Sequence, residues 1–330
     1  MASPIQISTA TLGIFWFVLW TSFSFGAHFF ARRTISLSTT QFDSWLTIIA
    51  LTICQLLVGS IVLQGLIMLV KRGMFPSLSE KQKTLVISED NTATEPSRMS
   101  LYLSHASATL ATNAGIAFVN AGSVFTIKAF EPISSATLNS MLTGEKLGTH
   151  VIISLPLVVS GALGFVWTSA VRETATFGLA MAFVSNILFG VRNINLKLTH
   201  KNCSSVLAKL EFLQTMSWIA AASLLPVLFL LFGVQGSLFF HFSLADSFTS
   251  GLFHIIYTVI STCIILKYTS IVGHATCNLL KRILVAIFFF FLGKTAITSS
   301  NWVMGVIMLM GLLIYVLPDV FPIKGWCTWT

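Results

Sequence analysis

Apolar residues run through this chain in long blocks separated by short polar breaks, with neither the alternation of a half-buried strand nor the one-sided stripe of a soluble helix. A membrane-crossing helix needs about 20 mainly apolar residues. That template finds ten stretches, near 11–31, 44–70, 101–119, 121–143, 149–168, 175–196, 206–233, 247–267, 271–292 and 299–318. Glu131-Pro132 interrupts the fourth, so a kink is expected there. The longest polar segment, 71–100, includes SEKQKTLVISEDNTATEPSR and reads as a solvated, mobile loop. The predicted fold class is an all-α polytopic membrane protein.

Composition agrees with that pattern. Hydrophobic residues make up 55% and charged residues 9%, with a mean hydropathy of +0.86. A soluble domain carries about 25% charged residues, so lipid must be the solvent for most of this surface. The net charge of +8 would suggest nucleic acid in a soluble protein. Here the basic residues are scattered, with no basic run interleaved with aromatics, and no nucleic-acid partner is expected. Cys54, Cys203, Cys263, Cys277 and Cys327 form no CxxC pair and none has a His at zinc-ligand spacing. No disulfide framework, metal site or cofactor is predicted. HExxH, paired intramembrane aspartates and a GxSxG elbow are absent, which argues against an enzyme. The opening MASPIQISTATLGIFWFVLW lacks the basic n-region of a signal peptide and an Arg- and Ser-rich transit extension, so any plastid or mitochondrial address is expected to have been trimmed or never present.

Loop charges set orientation. Loops after odd-numbered stretches hold only Arg32, Arg33, Arg172 and Lys294. Those after even-numbered stretches, with the C-terminus, hold Lys71, Arg72, Lys81, Lys83, Arg98, Lys146, Lys197, Lys201, Lys267 and Lys324. Both termini are therefore expected in the cytosol. The halves resemble each other weakly: Leu142-Thr-Gly144-Glu-Lys before a span with Gly161 parallels Leu292-Gly293-Lys-Thr before a span with Gly311. Five plus five spans would give an inverted repeat, 1–174 and 175–330, with a site at the midplane between the repeats.

The informative residues are the ionisable ones inside spans, since a charge at the bilayer centre is costly and usually faces a cavity. Lys128, Arg192, Lys281 and Arg282 fit this description, with Glu131 as the one clear anion among them. Each has a plainer reading. Arg192 could snorkel from a helix end, and Lys128 could pair with Glu131 at i,i+3. Lys281 and Arg282 are adjacent, so they diverge by about 100° on a helix and share no local anion. Lys128, Lys281 and Arg282 against Glu131 leave a cavity short of two negative charges. A phosphate ester carries about −1.5 to −2, and Arg and Lys together suit phosphate. Charge balance thus favours an anionic substrate, with phosphate the leading candidate. Polar residues cluster nearby: Ser104, His105, Thr109, Thr112, Asn113 and Asn120, then Ser134, Ser135, Thr137 and Asn139, with His274 and Asn278 seven and three residues before Lys281.

Three runs carry a family resemblance. Thr126-Ile-Lys-Ala-Phe-Glu-Pro132, Ser185-Asn-Ile-Leu-Phe-Gly-Val-Arg192 and His274-Ala-Thr-Cys-Asn-Leu-Leu-Lys-Arg282 resemble, in order and approximate spacing, motifs of the triose-phosphate translocators of the drug/metabolite transporter superfamily. The likeness extends over about residues 100 to 318, and the first two spans match only in hydropathy. It implies ten transmembrane helices in two inverted five-helix repeats, exchange of inorganic phosphate for a small phosphorylated metabolite, and an organelle envelope of plastid type. Lys128, Lys281 and Arg282 would clamp the phosphate. His105, Thr109, Thr112, Arg192, Tyr257, His274 and Asn278 would surround it, with Glu131 and Pro132 structural. The chain departs from plastid members at Thr109 and Phe125, where they often carry His, and Tyr257 is about one residue out of register. The clamp is thus retained while the part that reads the carbon skeleton differs. A nucleotide-sugar carrier of the Golgi or endoplasmic reticulum is the alternative, since it too needs cations, although Arg282 argues for the phosphate branch.

Overall fold

A computed structural model of the chain describes residues 9–38, 40–74, 95–144, 146–167, 173–200, 206–235, 242–265, 271–293 and 298–320. Among them the regular structure is entirely helical: α1 Thr9–Ile35, α2 Gln41–Lys71, α3 Glu95–Phe118, α4 Ala121–Lys128, α5 Glu131–Thr143, α6 Thr149–Trp167, α7 Glu173–His200, α8 Val206–Gln235, α9 Leu244–Val259, α10 Ile271–Leu292 and α11 Ser299–Val320. A helix occupies every apolar stretch found in the sequence, the fourth as the broken pair α4 and α5. Six are long and apolar enough to cross a membrane, within Leu12–Ile35, Asp43–Lys71, Thr149–Val166, Thr176–Leu196, Val206–Val234 and Leu244–Ile265. The protein is an all-helical integral membrane protein, with exposed apolar side chains such as Phe229, Leu230 and Phe291 on its outer surface.

Two boundaries differ from the sequence expectation. The polar segment was drawn from 71 to 100, but α3 already begins at Glu95. Glu95-Pro96 supplies the acid and the proline that a first helical turn favours, so the helix extends beyond its apolar core. The remainder of that segment, 75–94, lies outside the described residues. The eighth stretch is a continuous helix only to Val259, after which Ile260–Ile265 form a π-helical turn. Such turns commonly mark functional positions in helices.

The helices pack in a defined set of pairs: α3 with α7 and α8, α1 with α9 and α10, α2 with α8 and α9, α4 with α10, α4 and α5 with α7, and α6 with α11. Helices α6 and α11 approach closely through glycines. A Cβ on Gly161 would lie 2.5 Å from the Met308 backbone nitrogen, and one on Gly311 would lie 2.7 Å from the Val158 side chain. Small residues are what allow two backbones to approach this far in lipid.

The break in the fourth stretch follows from its sequence. Pro132 has no N–H, so the carbonyl four residues earlier, that of Lys128, loses its helical partner. Helix α4 ends at Lys128, α5 restarts at Glu131 with Pro132 in its first turn, and Gly144 closes α5 in the left-handed conformation at φ 74°.

Candidate functional site

The freed carbonyls at this break are met by side chains from other helices. Asn186 Nδ2 on α7 donates to the Ile127 carbonyl at 2.8 Å. Arg282 Nη1 on α10 donates to the Lys128 carbonyl, replacing the N–H that proline lacks. The same guanidinium places Nη2 2.6 Å from Glu131 Oε2. Glu131 is therefore chiefly the partner of Arg282 and only a distant one of Lys128, at 3.9 Å. Arg282 thus has an anion that sequence spacing alone could not reveal, since 151 positions separate the two.

Among the described residues, Arg192 and Lys281 have no carboxylate within ion-pair distance, and the closest neighbours of Lys128 are neutral. Lys128 Nζ donates to Thr112 Oγ1 at 3.0 Å and Ser185 Oγ at 2.7 Å, and lies 4.4 Å from the Phe189 ring centre. Thr112 gives its own proton to the Ala108 carbonyl, so its oxygen is free to accept from the ammonium. Arg192 lies over the same Phe189 ring at 4.5 Å and donates to Asn193 Oδ1. Lys281 Nζ sits 4.3 Å from the Trp20 ring and 5.1 Å from that of Tyr257. Aromatic faces hold a cation by its charge without neutralising it.

The cations, Glu131, Thr112, Asn193 and the rings of Trp20, Phe189 and Tyr257 line one cavity of about 1160 Å³. Its wall includes Lys128, Glu131, Arg192, Lys281 and Arg282 deep inside, and Lys146 and Lys209 where α6 and α8 begin. Among the described lining residues, six cations against one carboxylate give a formal charge of +5. The lining reaches the end of the bundle where α5 and α7 finish and α6, α8 and α10 start, through Asn139, Ser140, Leu147, Leu196 and Asn278. Nothing from the opposite set of helix connections contributes among the described residues. That end is filled by rings: Phe125 stacks on Phe289 at 5.8 Å and 4°, and Phe25 packs on Phe289 at 5.1 Å. Arg33 on α1 also pairs there with Asp246 on α9 at 3.2 Å. The cavity is a one-sided basic vestibule ending near the middle of the molecule.

A polar ladder braces its floor. Asn113 Nδ2 donates to Thr52 Oγ1 and Gln55 Oε1, both at 2.9 Å. Gln55 Nε2 donates to Ser250 Oγ at 2.8 Å, which donates to the Ala27 carbonyl at 2.6 Å. One chain of hydrogen bonds thus joins α3, α2, α9 and α1, with the valences of its buried side chains used between helices.

The sequence matches the Triose-phosphate Transporter family over residues 10–316. The chain belongs to that family. It is 27% identical over 224 residues to a protein of Oryza sativa subsp. japonica described as phosphoenolpyruvate/phosphate translocator 1, chloroplastic, covering 65% of this chain and 54% of that one. It is 27% identical over 233 residues to the triose phosphate/phosphate translocator, chloroplastic, of Zea mays, covering 64% and 53%. The chain spans about half the length of these curated relatives. A solved crystal structure overlays on 94% of the chain with a TM-score of 0.47 and 11% identity.

The cavity gathers most of the candidate site residues named from the sequence. His105, Thr109, Thr112, Lys128, Glu131, Pro132, Arg192, Tyr257, Asn278, Lys281 and Arg282 all line it. Arg192 faces inward and does not snorkel to an interface. Thr109 turns its hydroxyl back to the His105 carbonyl at 2.9 Å, and the His105 Nδ1 is buried with no hydrogen-bond partner among the described residues. His274 belongs to α10, but its side chain lies outside the described residues. Sequence reasoning missed Trp20 and His28 on α1, Gln55 on α2, Ser185 as a lysine partner and His254 on α9. His28 and His254 are ionisable residues within apolar helices, a signal that was visible in the sequence. Trp20 and Gln55 carry no such signal and are found only by packing.

Proposed function

We propose that this chain is an antiporter that exchanges inorganic phosphate for a small phosphorylated metabolite by alternating access. The observation that carries this reading is the set of three deep cations, Lys128, Arg192 and Lys281: among the described residues the last two have no carboxylate within ion-pair distance, and Lys128 has only the distant Glu131 that Arg282 already holds. A substrate anion supplies the missing charge. Lys128, Lys281 and Arg282 hold its phosphate. Arg282 has five N–H donors and uses two on Glu131 and the Lys128 carbonyl, so it can remain paired and still bind. A dianion entering the vestibule relieves the repulsion among the lysines and lets the two halves rock. The empty carrier retains that repulsion, which enforces one-for-one exchange.

Ten transmembrane helices in two inverted five-helix repeats, 1–174 and 175–330, give this cycle its symmetry. The packing pairs support that division. Exchanging the first five stretches for the second five turns α3–α7 into α9–α1, α3–α8 into α9–α2, and the contact of α4 and α5 with α7 into that of α10 with α1. The pairs α2–α8 and α6–α11 map onto themselves, and Gly161 and Gly311 meet at the second. Basic loops support a cytosolic position for both termini, and hence for the open end of the vestibule. The chloroplast relatives support a plastid-type envelope as the membrane.

Competition in reconstituted liposomes tests the substrate class. Inhibition of labelled phosphate exchange by triose phosphate or phosphoenolpyruvate, with nucleoside monophosphates inert, is the expected pattern. The reverse pattern would make the chain a nucleotide-sugar carrier of the Golgi or endoplasmic reticulum.

A further inference from the structure

The vestibule presents mainly donors at depth, and His28 is an exception whose hydrogen-bonding sense is fixed. Its Nδ1 lies 2.5 Å from the Ser24 carbonyl oxygen, one turn earlier on α1. A carbonyl has no proton to give, so Nδ1 carries the proton and donates it. In the neutral ring Nε2 is then a pure acceptor. His28 is half-buried and lines the cavity, and its Nε2 has no hydrogen-bond partner among the described residues.

The ring is also held in position. Phe125 meets it edge-on at 4.6 Å, and Tyr257 stacks on it at 6.2 Å and 27°. Phe125 stands one turn before Lys128 on α4, and Tyr257 is one of the two rings beneath Lys281. The imidazole therefore lies between Phe125, one turn from Lys128, and Tyr257, which also faces the Lys281 ammonium. A phosphate ester in its dianionic form offers no proton and gains nothing from such a lone pair. A hydroxyl on the carbon chain does.

We propose that His28 is a specificity-determining residue that accepts a hydrogen bond from a hydroxyl on the substrate's carbon skeleton. The carrier thereby prefers hydroxylated phosphate esters, of the triose- or sugar-phosphate kind, to esters that carry no hydroxyl. The proposal rests on the phosphate-exchange reading above.

The test compares glycerol 3-phosphate with n-propyl phosphate as competitors of labelled phosphate exchange in proteoliposomes. The two esters share a three-carbon chain and differ in the hydroxyls. The native protein is expected to favour glycerol 3-phosphate by about fivefold or more, the worth of one neutral hydrogen bond. His28→Phe brings the ratio close to one while phosphate exchange and n-propyl phosphate inhibition persist, and His28→Gln, which keeps an acceptor oxygen, retains a preference. Thermal stabilisation of the purified variants by the two esters gives the same ratio without turnover, so a variant that binds but no longer transports is still read. No preference in the native protein, an unchanged ratio in His28→Phe, or loss of preference in His28→Gln overturns the role of His28 and leaves phosphate exchange standing. Failure of the native protein to exchange phosphate overturns the parent reading as well.

Discussion

Replacing Glu131 with Gln probes the electrostatic centre of the site. The carboxylate is 4% exposed and Arg282 is 8% exposed, and their closest atoms are 2.6 Å apart. Breaking a buried pair by removing one partner costs about 3–5 kcal/mol, because the other charge stays buried without compensation. Glutamine keeps one acceptor oxygen, and Arg282 keeps the Lys128 carbonyl, so the lower end of that range applies. At about 2 °C or more per kcal/mol for a large chain, the unfolding midpoint in detergent should fall by roughly 5–10 °C. Inorganic phosphate should then stabilise Glu131→Gln more than the native protein, since the freed guanidinium gains an anion and ligand binding adds to stability. Thermal unfolding of the purified protein, followed by intrinsic fluorescence with and without phosphate, measures both effects. A midpoint within 1 °C of native, with equal phosphate stabilisation, would refute the assignment of Glu131 as the anion of Arg282.

Three further outcomes are expected. Lys128→Ala and Lys281→Ala should each abolish phosphate counter-exchange while the protein still inserts and purifies as a folded species, and full exchange in either would remove that lysine from the site. Gly161→Leu should destabilise the protein by about 1–3 kcal/mol, the usual cost of overpacking, because even a Cβ would lie 2.5 Å from the Met308 backbone; an unchanged midpoint would show that α6 and α11 are not so closely apposed. Asn139→Cys, placed on the vestibule wall, should react with a membrane-impermeant thiol reagent from the side of the chain termini and be protected by phosphate. Labelling from the opposite side would contradict the direction in which the cavity opens.

Much of this molecule is legible in its sequence, because lipid removes most of the alternatives. A chain with so few charges leaves helices as the regular structure, and each apolar stretch has one. The break at Glu131-Pro132 was equally legible, since proline lacks an N–H wherever it stands. The cations could be listed from the sequence for the same reason: few other residues in the spans are permanently charged. Their partners could not. Arg282 meets Glu131 across 151 positions, and Lys281 meets Trp20, which looks like any other apolar residue in α1. Lys128 and Glu131 do pair at i,i+3, at 3.9 Å, but the chain breaks between them and the carboxylate lies closer to Arg282 on α10, at 2.6 Å. His28 stands outside the three motif runs, although an imidazole in an apolar helix is as unusual as a fixed charge.

The most direct test of the central claim is the dependence of phosphate uptake on phosphate inside the vesicle. Purified protein would be reconstituted into liposomes containing either inorganic phosphate or buffer alone, and uptake of labelled external phosphate followed. Uncompensated lysines that hold the empty carrier still predict uptake only into phosphate-loaded vesicles. Equal uptake into both would show that the empty carrier reorients freely, and the charge-neutralisation basis for exchange would fall.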